Sequence, residues 1–176
     1  MPTTQKAALL QNFHCPRWQQ LPTLSLYMDQ VLIVLEETLA IFTPAGERPI
    51  TAAMINNYVK HKLVPPPEKK KYTNRHLASL IVISILKNVL SMAEIEALID
   101  KVSAEHGEEK AYNLFCDELE VALASAFGKK QTFIAPLAGC QTPANAMQAA
   151  IAAFANKLLV QLYLAAAHNA QEKNEK

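Results

Sequence analysis

Between Leu77 and Leu86 the chain carries ten residues of which only Ser79 and Ser84 are polar. A stretch so apolar on every side is either a buried central helix or a span of bilayer. Ten residues fall well short of the roughly 20 that a spanning helix needs. The segment therefore predicts a helix at the centre of a folded body, which its neighbours must cover. Thr73 offers a cap before it. Ser91, with Glu94 three residues on, reads as a capping box opening the next helix, whose inner face is Ile95, Leu98, Ile99 and Val102.

The covering elements show in spacings of three and four residues. Leu26, Met28, Val31, Leu32, Leu35 and Leu39 predict a helix that Ser25 can cap and that stops near Phe42, where Pro44, Gly46 and Pro49 mark a loop. Thr51 caps a short helix through Met54, Ile55, Tyr58 and Val59, which must end before Pro65-Pro66-Pro67. Beyond a break at His106-Gly107, Leu114, Phe115, Leu119, Ala122 and Ala126 predict a helix from Glu108 to Phe127. Gly128 to Gln141, with Pro136 and Gly139, reads as a loop. Thr142-Pro143 then starts a last helix, cap residue before proline. Its stripe of Met147, Ile151, Phe154, Leu158 and Leu162 gives it a length of about 27 residues, and the tail after His168 is expected to fray. Residues 1–22 show no period, and an irregular arm docking through Phe13 and Trp18 is expected. Only four glycines in 176 residues agree with an all-α fold. The expected division is a docking arm over 1–24, a helical domain over 25–103 and a C-terminal helical region over 104–176.

Charge is distributed unevenly. Lys60 to Arg75 holds six Lys or Arg against Glu68, a net of +5, while Glu94 to Glu120 holds nine acidic residues against Lys101 and Lys110, a net of −7. The two runs are either solvated faces or opposite poles, one of which can meet a polyanion. Cys15, Cys116 and Cys140 are odd in number and lack the short spacings of a zinc site, so free thiols in a reducing, cytoplasmic setting are expected. The N-terminal stretch lacks the long apolar core of a secretion signal. No membrane association is expected. His14, His61, His76, His106 and His168 have no partners at catalytic or metal spacing, and no Gly-rich phosphate loop or serine nucleophile elbow is present. Asp117 and Glu120 read as a solvated acidic face, and His14-Cys15 supplies too few ligands for a metal. Neither catalysis nor a cofactor is expected.

The string ITAAMINNYVKHKLVPPPEKKKYTNRHLASLIVISILKNVLSMAEIEALI, residues 50–99, resembles the DNA-binding headpiece of MerR-type regulators. It has a short helix ending in an aromatic, a Leu-Val-Pro exit, a basic wing, a Tyr-Thr cap at Tyr72, a hydrophobic helix and then Ser-x-x-Glu-Ile. With PRWQQLP and LYMDQV ahead of it, it also resembles an uncharacterised bacterial family grouped with that type, over about residues 16–102. The resemblance implies a winged helix-turn-helix headpiece followed by a C-terminal helical hairpin, and a DNA-binding transcriptional regulator. Thr51 to Lys60 would lie in the major groove of duplex DNA, where Asn56 and Asn57 can pair with adenine. Tyr58 would close that helix against the wing. Lys69, Lys70 and Lys71 would touch the DNA backbone, and Lys60, Lys62 and Arg75 could add phosphate contacts. Ala53 and Asn56 stand where the family has arginines. Only four residues separate Pro67 from Tyr72, too few for a full two-stranded hairpin, and FTPAGERP lengthens the link before the recognition helix. These departures motivate a second expectation, a protein-interaction module that kept the scaffold and lost the grip on DNA. A helical sensor for a small apolar ligand is a third. The small-residue surface of the last helix, Ala149, Ala150, Ala152, Ala153 and Ala155, suits a homodimer contact.

Overall fold

The apolar decapeptide lies within α4, Asn74–Leu86, and ten of that helix's thirteen residues are buried. Four of them, Ile81, Val82, Ile83 and Ile85, are β-branched and lose χ1 freedom in a helix. Burial of their side chains, each contributing about 1.5–3 kcal/mol, outweighs the few tenths lost in propensity. The computed structural model describes residues 3–44, 46–128 and 142–174. Among them the order is α1 (Thr3–Gln11), α2 (Met28–Leu39), α3 (Ala52–Lys60), α4, α5 (Met92–His106), α6 (Glu108–Phe127) and α7 (Pro143–Asn174). The described residues contain no strand, only two isolated antiparallel bridges, so the fold is all-α. α2, α6 and α7 pack on α4, and α6 and α7 make the most extensive helix pair.

The starts of the later helices follow their caps. The Glu94 carboxylate accepts the Ser91 N–H at 2.8 Å and the Ser91 hydroxyl at 2.7 Å, and both bonds hold that carboxyl below its ordinary pKa. α5 passes into α6 through Gly107 at φ +78°, a conformation side chains rarely adopt. The Thr142 hydroxyl accepts the Asn145 N–H at the start of α7. α7 runs 32 residues, further than its stripe predicts, through His168 to Asn174. Its Pro143–His168 stretch has the length and mean hydropathy, 1.5, of a membrane-spanning helix. Met147, Ile151, Phe154 and Leu158 of that stretch are nevertheless buried in the body. The expected loop from Gly128 to Gln141, with Cys140, lies outside the described residues after Gly128.

Two expectations are corrected. The first residues form a helix, α1, rather than an irregular arm. TTQKAALLQ has no apolar stripe to announce it, and nine residues are too few for an isolated helix. Docking on α6 and α7, with Leu10 fully buried, supplies the missing stability. The segment after it is held by α6. Arg17 pairs with Asp117 at 2.8 Å and Glu120 at 2.6 Å, Tyr112 donates its hydroxyl to the Pro16 carbonyl at 2.8 Å, and Trp18 meets the Tyr112 ring edge-on. Phe13 packs against Phe42, and Cys15 and Cys116 are buried free thiols.

The second correction concerns α2, which starts at Met28 rather than Leu26, with Tyr27 and not Ser25 at the N-cap. Leu26 is withheld because its backbone exchanges two hydrogen bonds of 2.8 Å with Tyr72. The Gln30 side chain accepts the Tyr27 N–H instead.

Candidate nucleic-acid interface

α3 has one inner and one outer face. Thr51 is its half-buried N-cap, its hydroxyl accepting the Met54 N–H at 3.3 Å. Ile55 and Tyr58 point into the core, while Ala53, Asn56, Asn57 and Lys60, spaced three, four and seven residues apart, form the exposed face. The helix ends in a doubled C-terminal turn: the Leu63 N–H donates to the Tyr58 carbonyl at 3.0 Å and the Lys62 N–H to that of Val59 at 3.1 Å. This geometry normally places Gly in the left-handed position, and here Lys62 occupies it at φ +61°.

Val64, fully buried, pins the chain before the prolines. Glu68 to Lys71 then closes a tight turn, the Lys71 N–H donating to the Glu68 carbonyl at 2.9 Å. Both central residues, Lys69 at φ +49° and Lys70 at φ +64°, are left-handed, the pattern of a primed hairpin turn that favours Asn-Gly. No two-stranded hairpin follows; one bridge, Glu68 to Lys71, and a second, Leu26 to Tyr72, make up the pairing. The Lys71 ammonium lies 5.4 Å from the Tyr27 ring centroid, a cation–π distance. Lys62, Lys69 and Lys70 are the non-glycine residues at positive φ among those described. Each costs roughly 1–2 kcal/mol relative to a residue suited to the conformation.

The structure sorts the eleven candidate residues. Asn56, Asn57, Lys60, Lys62, Lys69, Lys70 and Lys71 are exposed in the α3 face and the two turns that follow it. Tyr58 and Tyr72 are each only 3% exposed, so neither reaches a ligand; they support the backbone beneath. Thr51 acts as a cap. Arg75 is engaged with Glu108 at the start of α6, 2.5 Å away. Sequence reasoning missed the half-exposed Tyr27 beside Lys71, and it missed the strained lysines. The signal for the latter was a four-residue turn forced by its flanks and lacking Gly.

His76 sits under this surface. Its Nδ1 accepts the Thr73 N–H at 3.0 Å, completing the cap of α4, and its ring meets Tyr72 edge-on. Nε2 is buried without a well-formed hydrogen bond, and burial holds the imidazole pKa below its ordinary 6.5 against the Pro65 and Pro66 carbonyls, which pull it up. The folded protein therefore keeps the ring neutral where the unfolded chain takes up a proton, so stability falls as pH drops below 6.5. His76→Gln retains an acceptor for the Thr73 N–H. Melting temperatures recorded on both sides of that pH should show a smaller acid loss in the variant than in the parent. An equal loss would place the acid sensitivity elsewhere.

Residues 16–115, more than half of the chain, match a family model described as Domain of unknown function (DUF1836). No curated protein and no solved structure matches the chain.

Proposed function

The chain belongs to the DUF1836 family, and we propose that this member is a MerR-like, DNA-binding transcriptional regulator whose α3 face and lysine turns engage duplex DNA. The observation that carries the reading is the occupation of three left-handed positions by lysine. At a merely structural turn Gly or Asn is cheaper, and backbone strain of this kind clusters where function holds it in place. Lysines at turn tips are well placed for phosphates, which provide affinity, while Asn56 and Asn57 have the amides that read adenine in a major groove. On this reading the α3–α4 unit is a winged helix-turn-helix with its wing cut back to one turn.

α7 supports a homodimer. Ala150 and Ala155, expected on the dimer surface, are buried within the chain, and it is further along that α7 leaves Val160, Tyr163 and Leu164 more than half exposed, a stripe suited to a second copy. Two copies would present two lysine surfaces to two half-sites. The packing of the other face of α7 and the polar Asn156, Lys157 and Gln161 beside the stripe favour a protein partner over lipid, and the buried free thiols fit a cytoplasmic setting.

The test is anisotropy titration of genomic duplexes at several salt concentrations, with sedimentation velocity on the complex. The expected outcome is two protomers per duplex and affinity that falls with salt, by a slope of about −0.9 for each phosphate neutralised. Asn56→Ala with Asn57→Ala should reduce the preference for specific over random duplex by about 1–3 kcal/mol while leaving the salt slope unchanged. Absence of binding at low salt would overturn the proposal. It would favour the second reading, a protein-interaction module on the same scaffold, which the alanine at position 53 and the engagement of Arg75 by Glu108 support.

A further inference from the structure

A cavity of about 190 Å³ opens at the seam where α4, α5 and α6 meet. Val82, Ile99, Phe115 and Met147 give it an apolar wall, Ser79 and Ser103 a polar one, and Trp18 also lines it. Its rim carries four charges from four segments: Lys62 from the turn after α3, Arg75 from α4, Asp100 from α5 and Glu108 from α6. Arg75 and Glu108 neutralise each other. Lys62 and Asp100 are both exposed, and neither is within ion-pair distance of an opposite charge among the described residues.

A hollow with an apolar wall, bordered by one uncompensated cation and one uncompensated anion, is complementary to a molecule with an apolar body and both charges. We propose that the seam binds a free apolar α-amino acid, its carboxylate on Lys62, its ammonium on Asp100 and its side chain among Val82, Ile99 and Phe115. A simple carboxylate would leave Asp100 uncompensated beside it, and a simple amine would leave Lys62 so. Size agrees, since an apolar void of about 150 Å³ admits a benzene-sized body. Lys62 is strained by its backbone and lies on the border of both the lysine surface and this cavity. The amino-acid site stands independently of the DNA reading, because its binding is measured with no nucleic acid present.

Trp18 is the one tryptophan of the sequence, so its emission reports on the cavity. The experiment titrates the full chain with L-leucine and L-methionine, and in parallel with 4-methylpentanoate and 3-methylbutylamine, which each keep one charge. Saturable emission changes with the amino acids are expected, with at least about tenfold weaker binding of both analogues. Asp100→Asn should remove the preference for leucine over 4-methylpentanoate. Lys62→Gly, which suits the positive φ, should remove the preference over the amine. Thermal shift of each variant in the absence of ligand verifies that it is folded. No saturable change and no thermal stabilisation up to about 10 mM amino acid, or equal binding of the analogues, would overturn the proposal.

Discussion

Replacing Lys69 with Asn and Lys70 with Gly should make the protein more stable and a worse ligand for DNA. The two positions have φ of +49° and +64°, and Asn-Gly is the pair that a primed turn prefers. Relief of the left-handed conformation should stabilise the fold by about 1 kcal/mol at each position, read as a higher denaturant midpoint with an unchanged slope. The variant also deletes two ammonium groups from the turn tip. If both meet phosphates, the salt slope should fall by about 2 and affinity at low salt by on the order of a hundredfold. The opposite signs make the experiment decisive, because general damage would lower stability and affinity together. A variant that is stabilised yet binds duplex DNA as the parent does would show that the lysines are not there for phosphate.

The largest loss of stability should come from Phe115→Ala. The ring is 2% exposed on α6, and it lines the seam that α4, α5 and α6 share. Truncation enlarges an existing cavity that the surrounding helices cannot readily collapse into, so the expected loss is about 3–5 kcal/mol. For a chain of this length that is a fall in Tm of about 10 °C. Phe115→Leu fills most of the same space and should lose under about 1.5 kcal/mol. Chemical denaturation of the three proteins checks the order, and an alanine variant within 1 kcal/mol of the parent would mean that the seam relaxes, contrary to its packing.

How far the sequence could be read depended on the kind of force involved. α4 and the Ser91 capping box were legible because burial and capping act within a few residues and leave a pattern. α1 was not, since Leu10 is the one fully buried side chain among its described residues and the helix draws its stability from α6 and α7, more than a hundred residues away in part. The start of α2 was shifted by Tyr72, whose pairing with Leu26 no local pattern announces. Within the candidate site, Asn56, Asn57 and Lys60 lie where the helical period places them, on the outside. The burial of Tyr72 and the engagement of Arg75 by Glu108 are tertiary events. The left-handed lysines fall between these cases: the turn could be counted from its flanking residues, but its handedness depends on a backbone path fixed by Val64 and Tyr72.

The Leu26–Tyr72 bridge gives the molecule a clasp. Everything from Tyr27 to Lys71, including α2, α3 and the lysine turn, is an arc whose two feet are fastened side by side through reciprocal backbone bonds. An insertion between Phe42 and Pro49 therefore lengthens the arc without releasing either foot. Lengthening it is also inexpensive, since each doubling of a loop adds only about 0.6 kcal/mol of closure entropy. The segment FTPAGERP is thus the place where this chain can vary in length while the lysines keep their bearing on the rest of the body.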